Sequence, residues 1–155
     1  MVLGWNTPSY PVWLAMTGGT GLFPGALLTT LATPFFLLVP AATRRWPLGG
    51  RIYFATVCLV NTTFCSWLLG GASGTSLFLL PGVTLAGLIF HRAEGPALLT
   101  FLILPLLAGV LLDASQPYSP FGCAGDACVG LWRMNMASVA VLFVFFGFLA
   151  SRDDP

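Results

Sequence analysis

Cys123 and Cys128 stand in the stretch Cys123-Ala124-Gly125-Asp126-Ala127-Cys128, where oxidation of the two thiols would close a small loop. Such a bridge is a disulfide candidate with a structural role, limiting the freedom of the polar segment that holds it. A catalytic redox pair calls for Cys-x-x-Cys, which does not occur in the chain. The other two cysteines, Cys58 and Cys65, lie in an apolar segment seven residues apart, on one helical face, and are most simply packing residues. His91 is the single histidine and adjoins Arg92. One imidazole cannot supply both axial ligands of a bis-histidine haem. It is only a weak candidate for a metal ligand and is better explained as an interfacial residue, so no metal site is expected.

Asn61-Thr62-Thr63 is the most polar cluster within an apolar segment. Buried that deep in a membrane, its glycosylation sequon would be silent. Such groups usually hydrogen-bond a neighbouring helix, worth about 0.6–2 kcal/mol. The alternative is that Asn61 and Thr62, together with Asn135 in the last apolar segment, face a ligand between helices. Asp113 and Arg133 flank the polar segment and could pair across two helix ends. Absences narrow the function further. No charged residue sits well inside an apolar segment, as proton relays and ion pathways need. Neither a phosphate-binding Gly-Lys loop nor a Ser/His/Asp set is present, so no enzyme activity is expected. No basic stripe marks a nucleic-acid partner.

These residues must be positioned by elements built for lipid. Of 155 residues 57% are hydrophobic and 7% charged, with a mean hydropathy of +0.89. Soluble domains run near ~25% charged. The expected fold is an all-α, polytopic membrane bundle forming one transmembrane domain, 1–155. Five spans are expected, at about 18–40, 52–69, 75–90, 97–112 and 131–150, with an external loop at 113–130. Pro34 and Pro105 mark kinks, and Gly70 to Gly74 a tight turn between spans. Gly82-x-x-x-Ala86 has the spacing of a close helix-packing face. The N-terminal stretch lacks the positive region of a signal peptide and is expected to be retained, anchored by Trp5, Tyr10 and Trp13.

Arginine placement orients the chain. There is no lysine, and an outside N-terminus places Arg44, Arg45, Arg51, Arg92 and Arg152 inside against Arg133 alone outside. The C-terminus is then cytoplasmic, and Cys123 and Cys128 face the compartment where a disulfide persists. Trp46 and Tyr53 fall at the inner boundary, and Trp67, Tyr118 and Trp132 near the outer one, as amphipathic rings prefer. The expected location is a bacterial cytoplasmic membrane.

From about Arg45 to Leu149 the chain resembles the transmembrane sensor regions that precede bacterial adenylate cyclase, diguanylate cyclase and histidine kinase domains. The resemblance is carried by Arg51-Ile52-Tyr53-Phe54 opening a span with Asn61, and by Leu69-Gly70-Gly71-Ala72-Ser73-Gly74 leading to Leu77-Phe78-Leu79-Leu80-Pro81. The basic turn at His91-Arg92 and the last span with Asn135 complete it. In that family a cytoplasmic output domain follows the last span. Here the sequence ends at Pro155, so the resemblance implies an output domain on a partner, or a relative used as a structural subunit.

Two functions therefore stand. The first is a non-catalytic accessory or scaffold subunit of a larger membrane complex, for instance a bioenergetic one, with membrane lipids and other membrane subunits as partners. No cofactor is expected, although lipid, quinone or pigment could pack against Phe143, Phe145, Phe146 and Phe148. The second is a membrane-embedded, ligand-binding sensor signalling to a separate cytoplasmic partner. A small transporter is the weakest reading.

Overall fold

A computed structural model describes residues 11, 12, 16, 23–115, 118–121 and 125–151. Residues 18–22 of the first expected span, Trp5, Tyr10, Trp13, Cys123 and Arg152 lie outside this set. Among the described residues the fold is all-helical. The first span begins with α1 (Phe23–Thr29), passes a 3-10 turn at Thr30–Ala32 and continues as α2 (Thr33–Arg45). The irregularity expected at Pro34 thus falls just before it, with Pro34 in the first turn of α2, where its missing N–H costs nothing.

The stretch 43–51, between the first two expected spans, is helical except for one residue. Trp46 alone is extended, at φ −142° and ψ 95°, and α3 (Pro47–Leu69) starts at once. Pro47 explains both facts: it pushes the residue before it out of the helical region and suits the first helical position. The reversal is tight enough that Gly50 meets the Thr43 backbone. At its far end α3 stops at Gly70, with φ +78°, and Gly74 has φ +75°. The expected turn is there, and its left-handed backbone favours glycine.

Among the described residues four helices are long and apolar enough to cross a membrane: Pro24–Arg45, Pro47–Leu69, Arg92–Ser115 and Cys128–Ala150, of 22, 23, 24 and 23 residues. The expected third span differs. Thr75–Phe78 is a 3-10 turn, and α4 (Leu79–Ile89) has only 11 residues. At 1.5 Å and 2.0 Å rise per residue the two together reach about 24 Å, short of the ~30 Å hydrocarbon core. Where five spans were expected, the described residues thus form four long helices and one short one. The next helix, α5 (Gly95–Ser115), contains the buried Pro105. The last, α6 (Asp126–Ala150), begins five residues before the expected fifth span, so the polar connection is shorter than 113–130.

Long-range contacts define two ends of the bundle. Arg51 at the start of α3 pairs with Glu94 just before α5. At the other end the Phe121 N–H donates to the Leu68 carbonyl at 3.0 Å, and the Asn135 amide of α6 donates to the Ser73 carbonyl at 2.8 Å. The core lies between: Ala55, Ala86, Phe90 and Phe101 form a buried cluster in which the Phe90 and Phe101 rings stack at 5.4 Å. Of the expected Gly82 and Ala86 packing face, Ala86 packs, but a Cβ on Gly82 would meet no atom within 4 Å. Asp113 and Arg133 do not pair; among the described residues the ion pair is Arg51–Glu94.

Candidate functional site

Cys58, Asn61, Thr62 and Cys65 recur on α3 at i, i+3, i+4 and i+7, which stacks them on one face. That face borders a cleft of about 120 Å³. Thr29 of α1, Phe36 of α2, Thr75 and Phe78 of the 3-10 turn, Pro81, Gly82 and Leu85 of α4, and Leu142 and Phe146 of α6 complete its wall. A recess of about 30 Å³ adjoins it, sharing Cys58, Thr62, Phe78, Gly82 and Leu85 and reaching Phe101 and Pro105 of α5. Along the α3 axis Asn61 lies about 15 Å from Arg51 and about 12 Å from Leu69, midway between the two ends of the bundle.

Among the described residues the cleft wall has no carboxylate, guanidinium or imidazole. Its polarity comes from neutral groups, several already committed. The Thr29 hydroxyl donates to the Ala26 carbonyl at 2.6 Å, and the Thr75 hydroxyl pairs with the Ser73 hydroxyl at 2.8 Å. The Cys65 thiol donates to Asn61 Oδ1 at 3.5 Å. On α3, Thr56, Thr63 and Ser66 return their hydroxyls to backbone carbonyls one turn back, which lowers the cost of burying them. The Asn61 NH2 and the Thr62 hydroxyl differ: neither has a hydrogen-bond partner among the described residues.

Asn135 belongs elsewhere. It is 1% exposed and ties α6 to the Gly71–Ser73 turn, outside the cleft wall. Of the three polar positions singled out in the sequence, the fold brings Asn61 and Thr62 together and makes Asn135 a helix tie. Of the four phenylalanines that the sequence offered to a flat ligand, Phe146 borders the cleft, and Gly82, expected at a helix-packing face, borders it too; Thr29 and Phe36 were missed, because they come from separate elements that only packing brings to α3. The sequence reading also separated the cysteines from Asn61 and Thr62, although their common period was visible.

The remaining expectations concern the bundle ends. Arg44, Arg45, Arg51 and Arg92 collect at the end marked by the Arg51–Glu94 pair, where the Arg45 guanidinium lies 5.5 Å from the centre of the exposed Trp46 ring. Trp132 and Arg133 sit at the opposite end, Trp132 against Gly74. His91 is exposed; its N–H donates to Glu94 Oε2 at 3.0 Å, and its carbonyl accepts the Glu94 N–H at 2.9 Å. Among the described residues no group of three or more His, Cys, Asp or Glu could hold a metal. Cys128 is buried in the first turn of α6, whereas Cys123 lies outside the described residues.

The model of the MASE7 family matches residues 5–120, about three quarters of the chain and every element up to the end of α5. No curated protein and no solved structure matches. A multi-helix region built for lipid accords with that match, and the chain belongs to MASE7, a family of membrane-associated sensor domains.

Proposed function

We propose that the chain is a sensing module within the membrane, taking up a small molecule between its helices and passing the change to a cytoplasmic signalling partner of the cyclase or kinase kind. The observation that carries this reading is the cleft on α3, where Asn61 and Thr62 hold uncommitted hydrogen-bonding groups at mid-depth. A sensor needs a ligand with different affinity for two arrangements of the bundle. The cleft offers a means, because its α2 and α6 walls both pack on other elements but little on each other. Asn135 holds α6 before its midpoint, and Phe146 borders the cleft three turns further on. An occupant pressing on Phe146 would swing the far end of α6 about that anchor.

In this reading α4, though short, carries the chain back across, giving five crossings. The support is that α3 and α5 both start at the Arg51–Glu94 end. The positive-inside rule makes that end cytoplasmic, with the N-terminus outside, in a bacterial inner membrane. The scaffold reading has one observation in its favour: α6 presents Val141 and Val144 at 68% and 74% exposure, surface that lipid or another subunit would cover.

Purification of the chain from its own membranes with cross-linking separates the two. A stoichiometric cyclase or kinase partner is the expected result. Constant recovery with a respiratory or photosynthetic complex would overturn the sensor reading in favour of a scaffold.

A further inference from the structure

We infer that the cleft on α3 selects a neutral, lipid-soluble molecule about the size of one ring, held through a carbonyl-type acceptor by the Asn61 NH2 and the Thr62 hydroxyl; this rests on the sensor reading above. Four features of the cleft narrow the ligand class.

Size comes first. A cleft of about 120 Å³ is comparable with the cavity of about 150 Å³ that takes up benzene in an engineered protein. Charge comes second. With no ionic side chain among the described residues of the wall, an ionised ligand would lose its hydration without a counter-charge, at a cost of several kcal/mol. The third feature is the sense of the hydrogen bonds. The Asn61 Oδ1 already accepts the Cys65 thiol, which leaves two N–H donors and the Thr62 hydroxyl. A ligand that accepts satisfies them, whereas a plain acyl chain leaves them unmatched.

The fourth feature is access. Phe36 and Phe146 face the cleft from α2 and α6, which make little contact with each other, so the way in lies between them, from the apolar phase. Gly82 provides an internal control. It borders both cleft and recess, and a Cβ there meets no atom within 4 Å, so a side chain added at this position starts in open space beside the cleft.

The test uses the full chain in phosphatidylcholine nanodiscs with three probes: acetophenone, ethylbenzene of nearly the same shape but no acceptor, and the charged benzoate. Binding is read by saturation-transfer NMR, and the state of the carbonyl by isotope-edited infrared spectroscopy of carbonyl-labelled acetophenone. Acetophenone is expected to bind saturably and about fivefold more tightly than ethylbenzene, the equivalent of one net hydrogen bond. Its carbonyl band should move to lower frequency. Benzoate should not bind. Asn61→Leu should reduce acetophenone to the affinity of ethylbenzene while leaving ethylbenzene unchanged, Thr62→Val should act in the same direction, and Gly82→Leu should abolish both.

Equal affinity for acetophenone and ethylbenzene, saturable binding of benzoate, or an Asn61→Leu variant that keeps the preference would each overturn the ligand class. Circular dichroism and monodisperse elution establish that each variant is folded, with Gly82→Ala as a milder second filling. A signalling partner recovered without this preference would sink the ligand class alone. The preference without any such partner would sink the sensor reading alone.

Discussion

The side-chain amide of Asn135 donates to the backbone carbonyl of Ser73 at 2.8 Å, in a site where Asn135 is 1% exposed. It joins the first half of α6 to the turn that follows α3. A turn carbonyl has no helical partner, and in an apolar surrounding it must find a donor elsewhere. Asn135→Leu is expected to lower stability by about 1–2 kcal/mol, because the near-isosteric side chain leaves the Ser73 carbonyl unpaired. Unfolding by sodium dodecyl sulfate in mixed micelles measures it. Asn61→Leu, which leaves no backbone group unpaired, should cost less. Equal losses for the two variants would contradict their assignment to different roles.

Two glycines should respond in opposite senses. A methyl group at Gly50 would overlap the Thr43 backbone, which cannot yield without opening the α2–α3 reversal. Gly50→Ala should cost about 1–3 kcal/mol, in the range for overpacking. Gly82→Ala meets no neighbour within 4 Å and should stabilise by about 0.4–1 kcal/mol, through the smaller entropy of its unfolded chain. The same detergent titration decides both.

The Arg51–Glu94 pair links the starts of α3 and α5, with side chains 25% and 18% exposed. Partial exposure keeps its coupling near 1 kcal/mol in a double-mutant cycle, and added salt should weaken it. Removal of the two partners should be unequal. Glu94→Ala also strips the acceptor from the His91 N–H and leaves the Arg51 guanidinium, whose Nε is buried and already without a partner, wholly unpaired. Arg51→Met removes that buried group altogether and should cost less. A more stable Glu94→Ala than Arg51→Met would refute this ordering.

Orientation is open to chemical labelling. With the arginine-rich end in the cytoplasm, Cys123 and Cys128 face outside. A thiol reagent that cannot cross membranes should label them from that side, and only after reduction of the disulfide expected between them. Labelling without reduction would remove the disulfide, and labelling from the cytoplasmic side would reverse the topology.

Composition and pattern alone determined the solvent, the helical class and the arginine asymmetry. Each is a property of a segment taken by itself: enough apolar residues to span lipid, and charges counted at their ends. The Gly70–Gly74 turn was legible for the same local reason. Two boundaries were misjudged where proline acted in the unexpected sense, Pro47 starting a helix at a stretch that looked like a loop. The third span was read to within one residue of Thr75–Ile89, but its 3-10 start was not legible, because apolar content does not distinguish a 3-10 turn at Thr75–Phe78 from another helical turn.

Only the tertiary structure decided the site. Asn61, Thr62 and Asn135 look alike in the sequence, as polar residues in apolar helices. What separates them is the neighbour each one meets: Asn135 reaches a stranded carbonyl, while Asn61 and Thr62 reach a cleft whose other walls come from α1, α2, α4 and α6. Packing of remote elements sets those neighbours. The hydrogen bonds it leaves unmade are visible only once the helices are brought together.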